Sequence, residues 1–172
     1  MARIDLERFY LRRFTAADLE KMIELESDPD VMKFTPSRIP IPINVSKKRL
    51  EDLIDKEATY GNLGIWAAEF KKTGEFLGWF MLLKREHELV ELGFMIVKRY
   101  WGEGFTTEVA RGLIEYGIGS LKLSGLSAKT TENNLASQKV LQKLGFIFEK
   151  KESFFDPVLK HEISVLHYAL RP

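Results

Sequence analysis

Three apolar, aromatic-rich runs occupy the middle of the chain, Gly64 to Phe70, Phe76 to Lys84 and Leu89 to Val97, with only the turn signals Lys72 to Gly74 and Arg85 to Glu88 between them. Strand-sized runs joined this closely can pair only with their neighbours, so they predict an antiparallel meander. Helical patterns flank the meander on both sides. Before it, Phe9 to Phe14 has strand texture, and Thr15 with Asp18 has capping-box spacing ahead of Leu19, Met22 and Ile23 on one helical face. That helix is expected to end near Asp28 and Pro29. Three of the six prolines then fall between Pro36 and Pro42, an extended stretch leading to a helix capped by Asn44 or Ser46. Leu50, Leu53, Ile54 and Ala58 are its expected buried stripe, and Gly61 its stop. After the meander, Gly104 to Gly119 carries Phe105, Val109, Leu113 and Tyr116 at helical spacing. A strand at Leu126 to Lys129, a helix at Ala136 to Leu144 and strands at Phe146 to Ser153 and Ile163 to Leu170, around the turn at Asp156 and Pro157, close the pattern. With no repeat or low-complexity segment, the expectation is one α/β domain over residues 1–172 built on a mixed sheet.

Several function classes fall away on composition. Lys plus Arg is 26 against 25 for Asp plus Glu, which lacks the basic excess that binding to nucleic acid by counterion release requires. The absence of cysteine removes disulfides, thiolate metal sites and a Cys nucleophile. The segment Met1 to Tyr10 has no apolar core of a signal peptide, and the longest apolar runs fall far short of the ~20 residues of a membrane helix. The expected setting is cytoplasmic, with no nucleic acid or membrane partner and a monomer or homodimer as the working state. His87 beside Glu88 has no second histidine at ligand spacing, His161 and His167 stand alone, and no Gly-x-Ser-x-Gly elbow occurs, so neither a metal site nor a serine hydrolase is expected.

The segment from Arg99 to Thr106, Arg-Tyr-Trp-Gly-Glu-Gly-Phe-Thr, lies between a predicted strand and a predicted helix. Glycines at such a junction let backbone N–H groups approach an anion, and the helix N-terminus adds unsatisfied donors and the positive end of its dipole. A dinucleotide fingerprint would need a third glycine where Thr107 stands, and a P-loop would need a glycine followed by lysine, which occurs nowhere in the chain. On its own the segment is equally a tight strand-to-helix turn.

Asn134, Ala136 and Ser137 followed by Leu144, Gly145 and Phe146 add a polar cap, a short amphipathic helix and a glycine stop. With Arg99, Gly102 and Gly104, the flanking Tyr100, Trp101, Thr107 and Glu108, the strand Glu91 to Phe94, and Leu11, Arg12 and Asp18, the chain resembles the GNAT superfamily of acyl-CoA N-acetyltransferases. The likeness is to the branch of ribosomal-protein N-terminal acetyltransferases, and it extends over nearly the whole chain. It implies an α/β (α+β) fold with a mixed, mostly antiparallel sheet of about seven strands, a splayed cofactor cleft and about four flanking helices.

The resemblance also assigns roles. Acetyl-CoA is the implied co-substrate, without metal. Its pyrophosphate is expected on Arg99, Trp101, Gly102, Glu103, Gly104, Phe105 and Thr106, its pantetheine along Met95, Ile96 and Val97, and Asn134 beside it. An amine acceptor with a pKa near ~10.4 is mostly protonated at neutral pH, so a base is needed, and Glu91 is the candidate. The tyrosine that many members place on the helix after the Asn is replaced by Leu141, which leaves Ser137 as the candidate acid for the departing thiolate. A strand-end glutamate and a helix-capping serine are the plain alternatives for these two. The implied acceptor is a protein N-terminal amine or a small-molecule amine such as an amino acid, polyamine or antibiotic. Its choice is expected to lie with Phe34 to Asn44, where Phe34, Arg38 and Ile39 would line a slot and attract an acidic group, and with the Phe154 to Leu159 turn. An acyl-CoA-binding sensor or a catalytically silent interaction module is the other reading.

Overall fold

In a computed structural model, which describes residues 3–85, 89–157 and 159–172, a single sheet runs through the molecule. Its eight strands are β1 (Ile4–Asp5), β2 (Phe9–Arg12), β3 (Gly64–Phe70), β4 (Phe76–Leu83), β5 (Val90–Ile96), β6 (Leu126–Thr131), β7 (Ile147–Asp156) and β8 (His161–Leu170), in the order β1-β2-β3-β4-β5-β6-β8-β7. The meander is present as β3–β4–β5, all antiparallel. Among the described residues the one parallel contact in the sheet is β5 with β6. Five α-helices cover its faces: α1 (Leu19–Ser27), α2 (Pro29–Met32), α3 (Ile43–Asp55), α4 (Phe105–Ile114) and α5 (Leu135–Lys143).

Strand alternation divides the core in two. Leu92 and Ile96 of β5 pack with Val109 and Leu113 of α4 and Leu141 of α5 on one face. Met95 of β5 and the adjoining Val97 pack with Met22, Leu25, Met32 and Leu50 of α1 to α3 on the other. The burial of whole side chains, such as Trp66 and Phe80 in the first layer and Phe14 and Phe76 in the second, supplies the main driving force.

The expected mixed, mostly antiparallel sheet of about seven strands with about four helices is present as eight strands, counting the two-residue β1, and five helices. Three expectations need correction. Neither Asn44 nor Ser46 caps α3: the cap position is Pro42, whose missing N–H costs nothing there, and Ser46 is buried inside the helix. Ala58 lies beyond α3, exposed in a short 3-10 turn. The long helix from Gly104 ends at Ile114 and widens into a π turn over Glu115–Ser120. Glu86 to Glu88, the last three of the four residues of the turn predicted before β5, lie outside the described residues, as do Met1, Ala2 and Val158.

An ionic cluster ties β2, β3 and α1 together. The Arg12 guanidinium donates to Asp18 at 2.6 and 2.7 Å and to Glu69 at 2.5 and 3.1 Å, and Lys21 reaches Glu69 at 2.7 Å. Burial would raise the Asp18 carboxyl, but hydrogen bonds from Arg12, the Thr15 N–H and Lys21 outweigh it and hold the group well below the usual carboxylate range. Glu69 is lowered in the same way, burial opposing and Arg12, Lys21 and Tyr10 prevailing. Carboxyls depressed by folding contribute stability that is present above their unfolded values and is lost as pH falls through the folded ones. The thermal midpoint should therefore drop by about 5 °C or more between pH 6 and pH 3. Asp18→Asn should lower the midpoint at pH 6 and flatten that dependence. A melting series as steep in the variant as in the parent would show that acid sensitivity arises elsewhere.

Candidate active site

Among the described residues β5 and β6 are in register only at Val90 with Leu126 and Glu91 with Ser127. Beyond that point β5 stays paired with β4 as far as Ile96, and β6 with β8 as far as Thr131. The two parallel strands therefore part after Glu91, leaving a cleft whose walls are unpaired strand edges. Unpaired N–H and C=O groups on such edges seek partners, and an extended chain bearing amides can supply them.

The wide end of the cleft leads into the glycine loop. Gly102 stands at φ +84 and Gly104 at φ +80, the left-handed conformation that glycine enters without penalty. A Cβ built on either would meet nothing within 4 Å, so the backbone there faces open space. Gly104 is also the cap position of α4, and no side chain caps this helix, so its first N–H groups keep their donors for another partner. Trp101, partly exposed, donates from Nε1 to the Ile96 carbonyl at 3.1 Å and so folds the loop against the cleft. The Phe105 ring anchors the start of α4 among Phe9, Phe70 and Tyr100, and Thr106 is buried behind it. Glu103 points to solvent. Arg99 lies over the Tyr100 ring at 4.8 Å and pairs with Glu24 of α1. Lys98 reaches Asp30 of α2 at 2.6 Å, which fixes that helix at the end of β5.

The expected pantetheine strand divides by alternation. Val97 N–H donates to the Leu77 carbonyl at 2.9 Å, and the Met95 carbonyl faces Gly78 across the β4 side. Ile96, whose carbonyl receives Trp101, faces the cleft. The side chains of all three residues are buried in the two cores, so what the cleft offers here is backbone.

Glu91 sits at the narrow end, on the face covered by α1 and α3, with its side chain mostly buried. Its Oε2 accepts from Arg85 Nε at 2.9 Å, a partner that sequence reading did not single out. Asn134 caps α5, its Oδ1 accepting from Ser137 N–H at 3.1 Å. Ser137 is thus held in the first turn of α5, over the opposite face from Glu91, and no hydrogen bond joins the two among the described residues.

Of the expected acceptor residues, Phe34 is half-buried under the Lys33 ammonium, 5.1 Å from its ring centre, and Ile39 is 58% exposed. Arg38 departs from expectation. Its side chain is buried against Asp156, Nε to Oδ2 2.9 Å, so it offers no free charge to an acidic acceptor. Two surface cavities adjoin the loop: one of about 420 Å³ between α1 and Val97 to Arg99, and one of about 690 Å³ along Gly104, Thr107 and Arg111. Among the described residues no cluster of His, Asp and Glu could hold a metal, and no helix is long and apolar enough to cross a membrane.

Comparison with known proteins bears on this geometry. A family model described as the acetyltransferase (GNAT) domain matches residues 8–147. The uncharacterized N-acetyltransferase p20 of Bacillus licheniformis is 30% identical over 149 residues, spanning 85% of this chain and 83% of that protein. The crystal structure of a GNAT-family acetyltransferase from Bacillus anthracis superposes with a TM-score of 0.87 at 21% identity, covering 99% of this chain and 98% of that one. RimL, a ribosomal L7/L12 alpha-N-protein acetyltransferase solved in complex with coenzyme A, shares the fold with a TM-score of 0.80 at 13% identity, over 99% and 98% of the two chains.

Proposed function

The chain belongs to the GNAT acetyltransferase family and is an N-acetyltransferase with acetyl-CoA as its co-substrate, and we propose that it transfers the acetyl group directly to a primary amine held opposite the cofactor in the cleft between β5 and β6. The observation that carries this reading is the parting of two parallel strands immediately after Glu91, with an uncapped helix start at the wide end. A diphosphate fits the open space over Gly102 and Gly104, where donors and dipole are already oriented. The pantetheine amides fit the free edge of β5 at Ile96. Bound there, acetyl-CoA supplies an activated acyl thioester.

The residues of the chain do the rest. Glu91, anchored by Arg85, takes the proton from the acceptor ammonium, directly or through one water, so that a neutral amine can attack. Ser137, oriented by the Asn134 cap, offers its hydroxyl to the departing thiolate. The loop leads into α4 on one face of the sheet, whereas Glu91 opens to the face of α1 and α3, so the two substrates approach from opposite faces. That arrangement favours a ternary complex over an acyl-enzyme, and no cysteine is available to carry an acyl group.

The test is thiol release from acetyl-CoA with a panel of primary amines: N-terminal peptides, amino-acid amides, a polyamine and an aminoglycoside. Turnover with at least one, and none without an amine, is the expected result. Tight coenzyme A binding with no turnover on any of them would leave the sensor reading standing instead. Ser137→Ala should lower kcat about tenfold, with little effect on the KM for acetyl-CoA and no recovery at high pH. An unchanged kcat would leave Ser137 with only its place in the α5 cap.

A further inference from the structure

Asp156 is the last residue of β7, and one carboxylate serves two purposes. Its Oδ1 accepts from Leu159 N–H at 2.9 Å while its carbonyl accepts from Lys160 N–H at 2.8 Å, shaping the hairpin tip. Its Oδ2 accepts from Arg38 Nε at 2.9 Å, across a sequence separation of 118 residues. The side chains of Arg38 and Asp156 are 6% and 5% exposed. Arg38 stands at φ +61, a left-handed conformation that is unfavourable for a non-glycine residue. Desolvating an ion pair is also unfavourable, so the pair is weak as a source of stability. What it does fix is position.

The position matters because of what lies between the two ends. β6 stops at Thr131, opposite Val165, so the tip of the β7–β8 hairpin extends past β6 at the wide end of the cleft. On the other side, α2 is pinned to the end of β5 by Asp30 and Lys98. The crossover from α2 to α3, residues 33–42, therefore reaches from the β5 side of the cleft to the hairpin beyond β6, on the face to which Glu91 opens. It then returns to α1, where Ile41 N–H donates to the Glu26 carbonyl at 2.9 Å.

We infer that Arg38 and Asp156 form a latch that holds this crossover across the mouth of the cleft as one wall of the acceptor site, and that the acceptor carries its amine on a neutral or apolar body. Both are positioning residues, and the inference rests on the cleft's assignment to acetyl transfer. The second half follows from what the latch leaves outside. Arg38 is neutralised by Asp156, and Lys33 on the same crossover is held away at Asp30, whose carboxylate it shares with Lys98, at 3.0 and 2.6 Å. The large apolar side chains exposed beside the latch are Ile39 on the crossover and Phe154 and Leu159 on the tip; Phe155 alternates to the other face of β7, and Lys160, next to Leu159, is the exposed cation of the tip. An acidic acceptor would meet no free cation from the latch, whereas an apolar one would cover surface that is unfavourable in water.

Two measurements test the latch, one without any acceptor. In hydrogen exchange, Arg38→Met should speed exchange at least tenfold in residues 33–42 and 154–161 and leave β3 to β5 unchanged. In steady-state kinetics with acetyl-CoA and the amides of phenylalanine, leucine and glutamate, the parent should favour the first two at least tenfold in kcat/KM. Arg38→Met and Asp156→Asn should each raise the acceptor KM about tenfold with the acetyl-CoA KM within twofold, and the double variant should be no worse than either. Arg38→Lys, which keeps the charge and tolerates small adjustments, should restore most of the acceptor KM even where the other variants fold poorly. Unchanged exchange in both segments, or acceptor and cofactor KM rising together, overturns the latch. A parent that favours the glutamate amide, or acetylates other amines but none of these three, overturns the acceptor class. Failure of the parent to bind coenzyme A at all overturns the transfer reading itself, while the exchange experiment still decides the latch.

Discussion

Glu91→Gln should bind acetyl-CoA as tightly as the parent and lose about 100-fold in kcat/KM for the amine near neutral pH, the lower end of what a positioned general base contributes and equivalent to ~2.7 kcal/mol of barrier. Glutamine has the same shape, and its carbonyl oxygen can still accept from Arg85 Nε, so the contact that holds the side chain survives. Only the capacity to take a proton is removed. The gap between variant and parent should then narrow as pH rises, because an amine that has lost its proton to solvent has no need of Glu91. Where it narrows reports the acceptor: near pH 8 for an α-amine, with its pKa of about 7.7–8.0, and near pH 10 for a lysine-like amine at about 10.4. Superimposable pH–rate profiles would remove Glu91 from the mechanism. A loss that never recovers would make it a binding residue for the ammonium group.

The reach of the sequence follows the range over which each signal acts. The meander was legible because its strands are consecutive, so turn chemistry at Lys72 to Gly74 and apolar run length were enough to pair them. The glycine turn into α4 was legible because the two glycines at 102 and 104 and the following helical periodicity lie within one short window. Glu91 could be placed at the start of its strand, yet its Arg85 partner depends on the shape of the intervening turn, which composition does not specify. Arg38 was misjudged for a related reason. Between prolines, in a segment with no periodicity, it has the local texture of a solvated cation. Only the chain's return 118 residues later brings the Asp156 carboxylate to bury it. A single sequence carries no record of such a pairing. The parting of β5 from β6 was expected only through family likeness, since strand divergence leaves no mark on hydropathy.

The loop assignment predicts that Gly104→Val weakens coenzyme A binding by about 10- to 100-fold, the range expected when one or two charge-assisted hydrogen bonds to the anion are lost. Two physical effects would act together. Valine at φ +80 is strained, and a β-branched side chain relieves that strain by moving the loop and the first N–H groups of α4. Its methyl groups would also project into the open space over the loop, where a Cβ meets nothing of the protein within 4 Å and where the diphosphate would lie. Strain alone could lower stability and affinity without any direct contact, so a matched control is needed. Gly74 provides one: it stands at φ +75 in the β3–β4 turn, with equally open surroundings and no part in the cleft. Gly74→Val should therefore cost a similar amount of stability, roughly 1–2 kcal/mol, and leave coenzyme A affinity within about twofold. Calorimetric titration of both variants, with melting curves alongside, separates the effects. If the two variants melt alike and bind coenzyme A alike, the backbone at Gly104 does not hold the diphosphate, and the anion must be sought along the neighbouring surface of Thr107 and Arg111.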